Sequence, residues 1–190
     1  ATSMYIRRGR QEYIKVGGDG KAEGFEPTKI GTCTVTLDNS SRRYDPYNTS
    51  SELYPYVLPG RFIRIRVNYN GTTYDVFHGK IKNIIPIENG KTQQVRIEAE
   101  DGQRNLQSAD TFVAIQQNID IDDAISLVLT NAGYPSIYGT SIEDASDVLS
   151  YWWATNRAMT EIQQLTDAEL GTFFVAADGK ATFYSRHHSA

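Results

Sequence analysis

Apolar and polar residues alternate along much of the chain between residues 31 and 101. Cys33, Val35 and Leu37 fall on one side of residues 31–38, and threonines fall on the other. The same period of two returns in residues 61–69 and 95–100, and it predicts half-buried β-strands. Asn70-Gly71 and Asn89-Gly90 each predict a hairpin, because a type I′ turn needs positive φ at both central residues.

These strands are expected to form an antiparallel meander, with the strand at residues 32–38 closing against it. A glycine at position 79 is predicted to bend or bulge the strand that follows the first hairpin. A small barrel or strongly curled sheet would remove the unpaired edges. Upstream, residues 4–10 and 11–16 predict two short paired strands, and residues 17–24 predict a glycine-rich loop.

The hydrophobic period changes to that of a helix near residue 118. Asp120 is a good N-cap, Asp122 and Asp123 suit the first turn, and Gly133 suits the position just beyond the helix end. A second helix is predicted to begin at residue 155 or 156 and to end near Gly171.

The segments around the second helix complete the tail of the chain. Residues 134–149 predict a loop or a marginal strand, and the apolar run at residues 151–153 is expected to pack between the two helices. Asp178-Gly179 predicts a type I′ hairpin. The fold class is therefore α+β, a mainly antiparallel β-barrel with a small helix-helix-hairpin attachment. We expect a β-barrel domain over residues 1–115 and a small α+β domain over residues 116–190.

A long irregular segment, residues 42–58, separates two of the predicted strands. It contains four of the chain's 12 tyrosines, with prolines among them: Tyr44, Tyr47, Tyr54 and Tyr56. Long ordered loops are usually functional or cover the edge of a core. Because tyrosine is enriched at protein interfaces, we expect a binding surface here.

Composition narrows the classes of function. The net charge is −4, which argues against a nucleic-acid surface, since such a surface needs clustered lysine and arginine. No apolar run approaches the ~18 residues of a membrane span. The first residues carry no apolar signal segment, so synthesis in the cytosol is expected. The single cysteine, Cys33, is expected to be a buried core thiol.

The search for catalytic chemistry yields only isolated residues. His78 is expected at the surface or at an interface, and the pair His187-His188 is expected to be a solvated tail. No aspartate or cysteine is spaced around His78 in a way that suggests a catalytic triad. Nothing in the sequence singles out a pair of carboxylates for glycoside cleavage. We therefore expect a protein that is not an enzyme and needs no cofactor.

Oxygen-bearing side chains gather on the loop and raise the question of calcium. Asp38, Asn39, Asp45 and Asn48 could offer ligands, but their spacing matches no EF-hand, so a role in forming turns is favoured. Two basic clusters, residues 7–10 and 42–43, are open to two interpretations. They either form a solvated face or pair with acidic loops of a neighbouring subunit.

The order of short motifs resembles phage tail proteins of the baseplate or tail-tip hub type. A strand ending in Leu-Asp-Asn leads into a loop of the form Arg-Tyr-x-Pro-x-Asn and then Ser-x-Leu-Tyr. Later motifs are Phe-x-Gly-x-Ile at residues 77–81 and Glu-Ala-Glu-Asp at residues 98–101. The Arg-Gly-Arg at residues 8–10, the Ala-Gly-Tyr at 132–134 and the Asp-Gly-Lys at 178–180 continue the series, which covers nearly the whole chain.

The resemblance implies a β-barrel hub domain and a structural role. Such hubs form a ring, often a trimer, that joins the tail tube to the tip. The expected partners are therefore further copies of this chain and other tail proteins, in the tail of a virion assembled from protein made in the host cytoplasm. Family members continue into a second barrel-like domain, and the sequence stops before one. The residues expected at interfaces are Arg7, Arg8, Arg10, Tyr44, Asp45, Pro46, Tyr47, Asn48 and Tyr54.

A second hypothesis comes from another class of function. The chain would be a carbohydrate-binding β-module for host attachment, with tyrosines of the loop and Trp152 or Trp153 as stacking platforms. A tail-associated hydrolase is a third and weaker hypothesis, because no acid is singled out by its position.

Overall fold

The computed structural model describes residues 11–17, 29–88 and 93–188. The strand predicted over residues 4–10, the hairpin at Asn89-Gly90 and the three arginines Arg7, Arg8 and Arg10 lie outside the described residues. The described chain is mainly antiparallel β-sheet with three helices, which confirms the predicted α+β class.

Five strands of the first half form one antiparallel sheet. Their order is β1-β2-β5-β4-β3, so β1 and β3 lie at opposite edges. Within the described residues no pairing joins these two edges, and the sheet is a curled half-barrel, in agreement with the expected barrel or strongly curled sheet. The strands are β1 (Gln11–Gly17), β2 (Thr32–Asp38), β3 (Phe62–Tyr69), β4 (Thr72–Glu88) and β5 (Gln93–Asp101).

The core of this sheet lies where the alternation predicted it. Cys33, Val35 and Leu37 of β2 are buried, and each lies opposite a buried residue of β5. Their partners across the ladder are Ala99, Ile97 and Val95. Burial raises the pKa of the Cys33 thiol to about 11, which keeps it protonated at neutral pH. The prediction of a buried core thiol is confirmed.

The first hairpin is confirmed, and β4 has two register shifts, neither of them at Gly79. Asn70 and Gly71 have φ of 49° and 83°, as a type I′ turn requires. Val76 is an extra residue of β4 opposite β3, and Lys82 is an extra residue opposite β5. Gly79 serves a different purpose, because a Cβ there would lie 2.2 Å from the carbonyl oxygen of Glu100.

The second half combines three helices with two small sheets. The first sheet has the order β7-β10-β9, and the second pairs β6 with β8. The elements are α1 (Gln103–Ser108), β6 (Val113–Asp120), α2 (Ile121–Asn131), β7 (Thr140–Ile142), β8 (Val148–Ala154), α3 (Ala158–Glu169), β9 (Thr172–Val175) and β10 (Ala181–Tyr184).

The apolar stripe of α2 is the centre of a second hydrophobic core. Ile125 and Val128 are fully buried, and they belong to one cluster with Ile162 of α3 and Phe183 of β10. Leu106 of α1, a helix that the sequence pattern did not predict, joins the same cluster. The sheet and the helical half therefore each have a core, while the exact domain boundary at residue 115 stays a prediction. Among the described helices, none has the length and apolar character needed to cross a bilayer.

The helix ends agree only in part with those predicted from the sequence. Gly133 follows α2 with φ of 64°, as predicted, whereas Asp120 occupies the N-cap position without a side-chain capping bond. Helix α3 begins at Ala158, later than predicted, and Leu170 takes the left-handed conformation at its end with φ of 56°. Gly171 is needed for space, because a Cβ there would lie 2.5 Å from the carbonyl oxygen of Tyr184.

The β9–β10 hairpin predicted near the end of the chain is confirmed, but its predicted turn type is wrong. Only Gly179 of the β9–β10 turn has positive φ, and its N–H donates to Ala176 O at 2.8 Å. The connection is thus a longer turn closed by a left-handed glycine, and it is not type I′. The run at residues 151–153 lies in β8, and its expected packing holds only for Trp152, which packs against the core shared by α2 and α3, whereas Tyr151 and Trp153 are exposed.

Candidate functional site

The loop between β2 and β3, residues 39–60, is a regular succession of turns, and we call it the aromatic loop. Five backbone N–H groups in it donate to the carbonyl oxygen three residues earlier, and each of these turns begins at the residue where the previous turn ends. The distances run from 2.8 to 3.3 Å, and the donors are Arg42, Asp45, Asn48, Ser51 and Tyr54. The loop is therefore held in one conformation by its own backbone.

Short polar side chains at three-residue spacing explain why this sequence turns repeatedly. The side-chain oxygens of Asp45, Asn48 and Ser51 each accept a bond from the N–H two residues later, at 2.9, 3.1 and 3.1 Å. Such side chains stabilise turns by imitating a backbone acceptor. Asp38 makes the same contact with the N–H of Ser40 at 3.0 Å. The oxygens considered as calcium ligands thus act in turns, as the favoured interpretation predicted.

One buried asparagine joins the aromatic loop to the sheet. The backbone N–H of Asn39 donates to Gln93 O at 2.8 Å, and its Oδ1 accepts a bond from the N–H of Tyr44 at 2.9 Å. The Tyr44 ring packs partly buried against the sheet core, and Leu53 is buried farther along the loop. These contacts fix the position of the loop over one part of the sheet.

The charged residues of the aromatic loop pair with one another. Arg42 lies 2.6 Å from Asp45, and Arg43 lies 3.2 Å from Glu52. The N–H of Tyr47, followed by the Arg42 guanidinium, lowers the pKa of the Asp45 carboxyl below its ordinary value. Two positive and two negative side chains leave the loop without net charge. The partners of Arg42 and Arg43 thus lie within their own loop.

The residues expected at interfaces divide into two groups. Tyr44, Asp45, Pro46 and Asn48 are half-buried, and the contacts of Tyr44, Asp45 and Asn48 stabilise the loop. By contrast, 88% of Tyr47 and 46% of Tyr54 are exposed, as is 56% of Tyr56. The rigid loop therefore presents aromatic rings to solvent at little entropic cost. Whether these rings contact a partner stays a prediction.

His78 is buried where the sheet meets the helical half, so its expected surface position is wrong. Its Nδ1 lies 2.9 Å from the carbonyl oxygen of Asp178, and its ring contacts the ring of Tyr138 at 4.7 Å between centroids. Burial lowers the pKa of His78 below its ordinary value. Close by, the hydroxyl of Tyr134 donates to Gly179 O at 2.7 Å. The β9–β10 turn thus contacts β4 directly, which no periodicity in the sequence predicted.

The C-terminal histidine pair is exposed, as expected of a solvated tail, but His188 also makes two contacts. The ring of His188 stacks on Tyr184 with 3.4 Å between centroids and 6° between planes. Its Nδ1 lies 2.5 Å from Oε1 of Glu143. His188 therefore contacts the helical half, although both histidines are exposed.

No protein-family model and no curated protein matches this sequence. Solved structures do match its fold. A tail protein from Neisseria meningitidis MC58 superposes with a TM-score of 0.56 at 11% identity, over 90% of this chain and 49% of that one. The 43 kDa tail protein of prophage MuSo2 from Shewanella oneidensis gives 0.57 at 10% identity, over 93% of this chain and 54% of that one.

The chain has the fold of phage tail proteins. A third structure, the E. coli c3393 protein, gives a TM-score of 0.54 at 11% identity over 84% of this chain and 43% of that one. It is described as a component of the type VI secretion system, with structural similarity to the T4 bacteriophage tail proteins gp27 and gp5. The resemblance predicted from the motifs is confirmed at the level of the fold. This chain spans about half the length of the tail proteins that it matches.

Proposed function

We propose that this chain is a structural component of a phage tail, in the baseplate or tail-tip hub that joins the tail tube to the tip. The observation that carries the proposal is the fold, which it shares over 84–93% of its length with two tail proteins and a tail-like secretion component. The role requires contacts with other tail proteins in the virion and no enzymatic chemistry. Synthesis would take place in the host cytoplasm, before assembly.

Self-association into a ring, such as a trimer, is the second part of the proposal. The aromatic loop supports it in three ways: its backbone is fixed by successive turns, its charges are neutralised internally, and Tyr47 and Tyr54 project outward. Rigid aromatic side chains contribute large contact area while losing little conformational freedom. Arg7, Arg8 and Arg10 remain predicted contributors to the same contacts.

Contact with nucleic acid is not part of the proposed role. The net charge of −4 supplies no general attraction to phosphate. The two arginines of the aromatic loop are paired with carboxylates of that loop, which weakens their attraction for a further anion.

Carbohydrate binding is a second candidate function, supported by exposed aromatic rings. Tyr47, Tyr56 and Trp153 are each more than half exposed and offer faces for a sugar to stack on. Tyr44 and Trp152, which were also expected as platforms, pack partly buried against the two cores. A glycan screen at millimolar ligand, read by tryptophan and tyrosine fluorescence, separates this candidate from the structural role. No binding is expected.

Immunogold electron microscopy tests the structural role. Antibodies raised against the purified chain are applied to tail particles that carry the native protein, and label is expected at one end of the tail. A preparation whose tails lack the protein is the control. Label along the whole tube, or on the capsid alone, would contradict the proposed position at the tip.

A further inference from the structure

The sheet half, β1–β5, and the helical half, α1–β10, have separate hydrophobic cores. Buried residues of β2–β5 form one core, and buried residues of the three helices with β9 and β10 form the other. No described residue belongs to both clusters. The chain passes from β5 into α1 at Gly102. Two units that are joined without a shared core generally move relative to each other unless their interface is large and apolar.

Besides this chain connection, a small aromatic contact joins the two halves. The rings of Phe62 and His78 from the sheet half and of Tyr138 from the helical half lie edge to face, with centroids 4.7–6.4 Å apart. The β9–β10 turn packs against them, because Nδ1 of His78 lies 2.9 Å from Asp178 O and a Cβ on Gly179 would lie 2.7 Å from Tyr138. We call this contact the latch.

The latch is separate from both cores and contains an unfavourable polar group. Phe62, His78 and Tyr138 belong to neither hydrophobic cluster, so the latch can open without removing a residue from a core. The hydroxyl of Tyr138 is buried without a hydrogen-bond partner among the described residues. A buried polar group without a partner destabilises the state that buries it. Opening would give this hydroxyl access to water.

The hydrogen bond of His78 shows where a further proton would bind. A carbonyl oxygen only accepts hydrogen bonds, so Nδ1 carries the hydrogen and donates it to Asp178 O, and a second proton must bind Nε2. The side chain is buried among aromatic rings, which solvate a positive charge less well than water does. Burial accordingly lowers the pKa of His78 below its ordinary value. Protonation therefore weakens the latch.

The other charged groups around His78 oppose one another. Arg64, its cross-strand neighbour on β3, disfavours a positive charge on the ring, whereas Asp75 of β4 and Asp178 of the turn favour one. Asp75 pairs with Arg64 at 2.7 Å, and Asp178 pairs with Lys180 at 3.0 Å. Tyr138, from the segment between α2 and β7, stays neutral because burial raises its pKa. Burial of the ring is thus the main influence on its charge.

Asp101, at the connection between the halves, responds to pH in the opposite direction. Its carboxyl accepts hydrogen bonds from the N–H groups of Gly31 and Gln103, and burial raises its pKa to about 7. Acidification neutralises this carboxyl and so favours the buried arrangement. An opening of the joint at acidic pH would therefore not come from Asp101.

We propose that the latch opens when His78 takes up a second proton, and that the two halves then move relative to each other about Gly102 while both cores stay folded. Above this transition the latch holds the helical half in one orientation on the sheet. Below it, the orientation is released. The inference goes beyond the tail role and does not depend on self-association.

Distances between spin labels on the two halves test this directly. Val67→Cys on β3 and Gln164→Cys on α3 are exposed sites for the labels, whereas the buried thiol of Cys33 stays unlabelled. Labelled chains are diluted with unlabelled protein, so that double electron–electron resonance reports distances within one chain. Measurements run from about pH 7.5 to about pH 5, the range in which a histidine of ordinary pKa changes charge.

Two substitutions in the labelled protein isolate His78 from the other titrating groups. His78→Asn keeps a side-chain N–H for the carbonyl oxygen of Asp178 but has no nitrogen that takes up a proton in this range. His187→Asn makes the same change at an exposed histidine and is the matched control. Gly179→Ala forces a methyl group into the latch and should open it already at neutral pH.

Wild type and His187→Asn should give one distance at neutral pH and a second population below pH 6.5. The ratio of open to closed chains should rise by up to about tenfold for each pH unit, because one proton is taken up. In His78→Asn the ratio should be independent of pH, whatever its value. Hydrogen exchange should show that the amides of β2, β5 and α2 remain protected throughout.

Three results would overturn the inference. The first is a wild-type distance that is unchanged across the whole pH range. The second is a ratio in His78→Asn that follows the pH as it does in wild type, since another group would then be responsible. The third is a loss of amide protection in either core together with the second distance, because the change would then be unfolding. A closed Gly179→Ala at neutral pH would likewise contradict the assigned latch.

Discussion

The backbone N–H of Tyr47 donates a 2.9 Å hydrogen bond to Oδ1 of Asp45, and the Tyr47 ring stands 88% exposed above that turn. The same carboxylate pairs with Arg42 through its other oxygen. One residue thus fixes the backbone from which the exposed ring projects. Elsewhere in the aromatic loop, too, some residues stabilise the turns and others expose their rings to solvent.

Replacement of Tyr47 by alanine is predicted to weaken self-association by at least tenfold while the melting temperature stays within a degree or two. The reason is that an exposed ring contributes to an interface and little to the fold. Tyr44→Ala is the matched control, because the Tyr44 ring packs on the sheet core and its loss should lower melting. Equal losses of assembly and stability in Tyr47→Ala would show that Tyr47 only braces its own chain.

Truncation of the sheet core is predicted to cost far more stability than truncation of its surface. Leu37→Ala and Ile65→Ala each remove a buried side chain and should lower the free energy of unfolding by ~2–5 kcal/mol. Val67→Ala, on the same strand as Ile65 but 50% exposed, should change it by less than about 1 kcal/mol. Urea titrations followed by circular dichroism measure the difference, and similar costs for Ile65 and Val67 would contradict the burial assigned to these two positions.

Gly179→Ala is predicted to disrupt the contact between the sheet and the helical half. A Cβ there would lie 2.7 Å from Tyr138 and 2.9 Å from His78, and φ is already 92°. The crowded methyl group should therefore lower the free energy of unfolding by ~1–3 kcal/mol, in addition to the cost of the strained backbone. Gly71→Ala is the control, since φ is 83° and no atom lies within 4 Å of its Cβ. If thermal unfolding shows equal losses for both variants, the packing around Gly179 is looser than described.

The stability of the protein is predicted to fall between pH 4 and pH 7 through Asp101. Burial raises the pKa of this carboxyl to about 7 from an ordinary 3.8, although N–H groups of Gly31 and Gln103 donate to it at 2.9 and 3.0 Å. The folded state holds the proton more tightly than the unfolded state, so stability is lost as the pH rises through this window. The loss amounts to at most about 4 kcal/mol.

A comparison with Asp101→Asn isolates this carboxyl from the other titrating groups. His78 acts in the opposite direction, because its lowered pKa costs stability as the pH falls below 6.5. The difference between wild type and Asp101→Asn should therefore change with pH from 4 to 7 and stay constant above 7. Urea unfolding at several pH values measures it, and a difference that is constant throughout would exclude the raised pKa.

The strict alternation of apolar and polar residues allowed the sheet to be predicted from the sequence. The alternation around Cys33 and Val35 predicted both β2 and its buried face, and the stripe of α2 predicted the second core. Short polar side chains also indicate the turns of the aromatic loop, at Asn39, Asp45, Asn48 and Ser51. Local chemistry of this kind is sufficient because each signal acts within a few residues.

The elements that sequence reasoning missed have interrupted patterns. Strand β6 contains a bulge and a left-handed Asn118, which break its alternation. Helix α1 has only six residues, too few for a helical stripe to appear. The apolar run at Tyr151–Trp153 fits a strand or a helix contact equally well, because a continuous run has no period. The contact of His78 with Asp178 spans 100 residues and leaves no local signal.

The central claim is that copies of this chain assemble into part of a tail, and the solution mass tests it most directly. Light scattering after size-exclusion chromatography, from low to high micromolar concentration, gives the number of 21.3 kDa chains in each particle. We predict a single closed species of three or more chains, with no larger open polymers. A mass of one chain at every concentration would contradict the account.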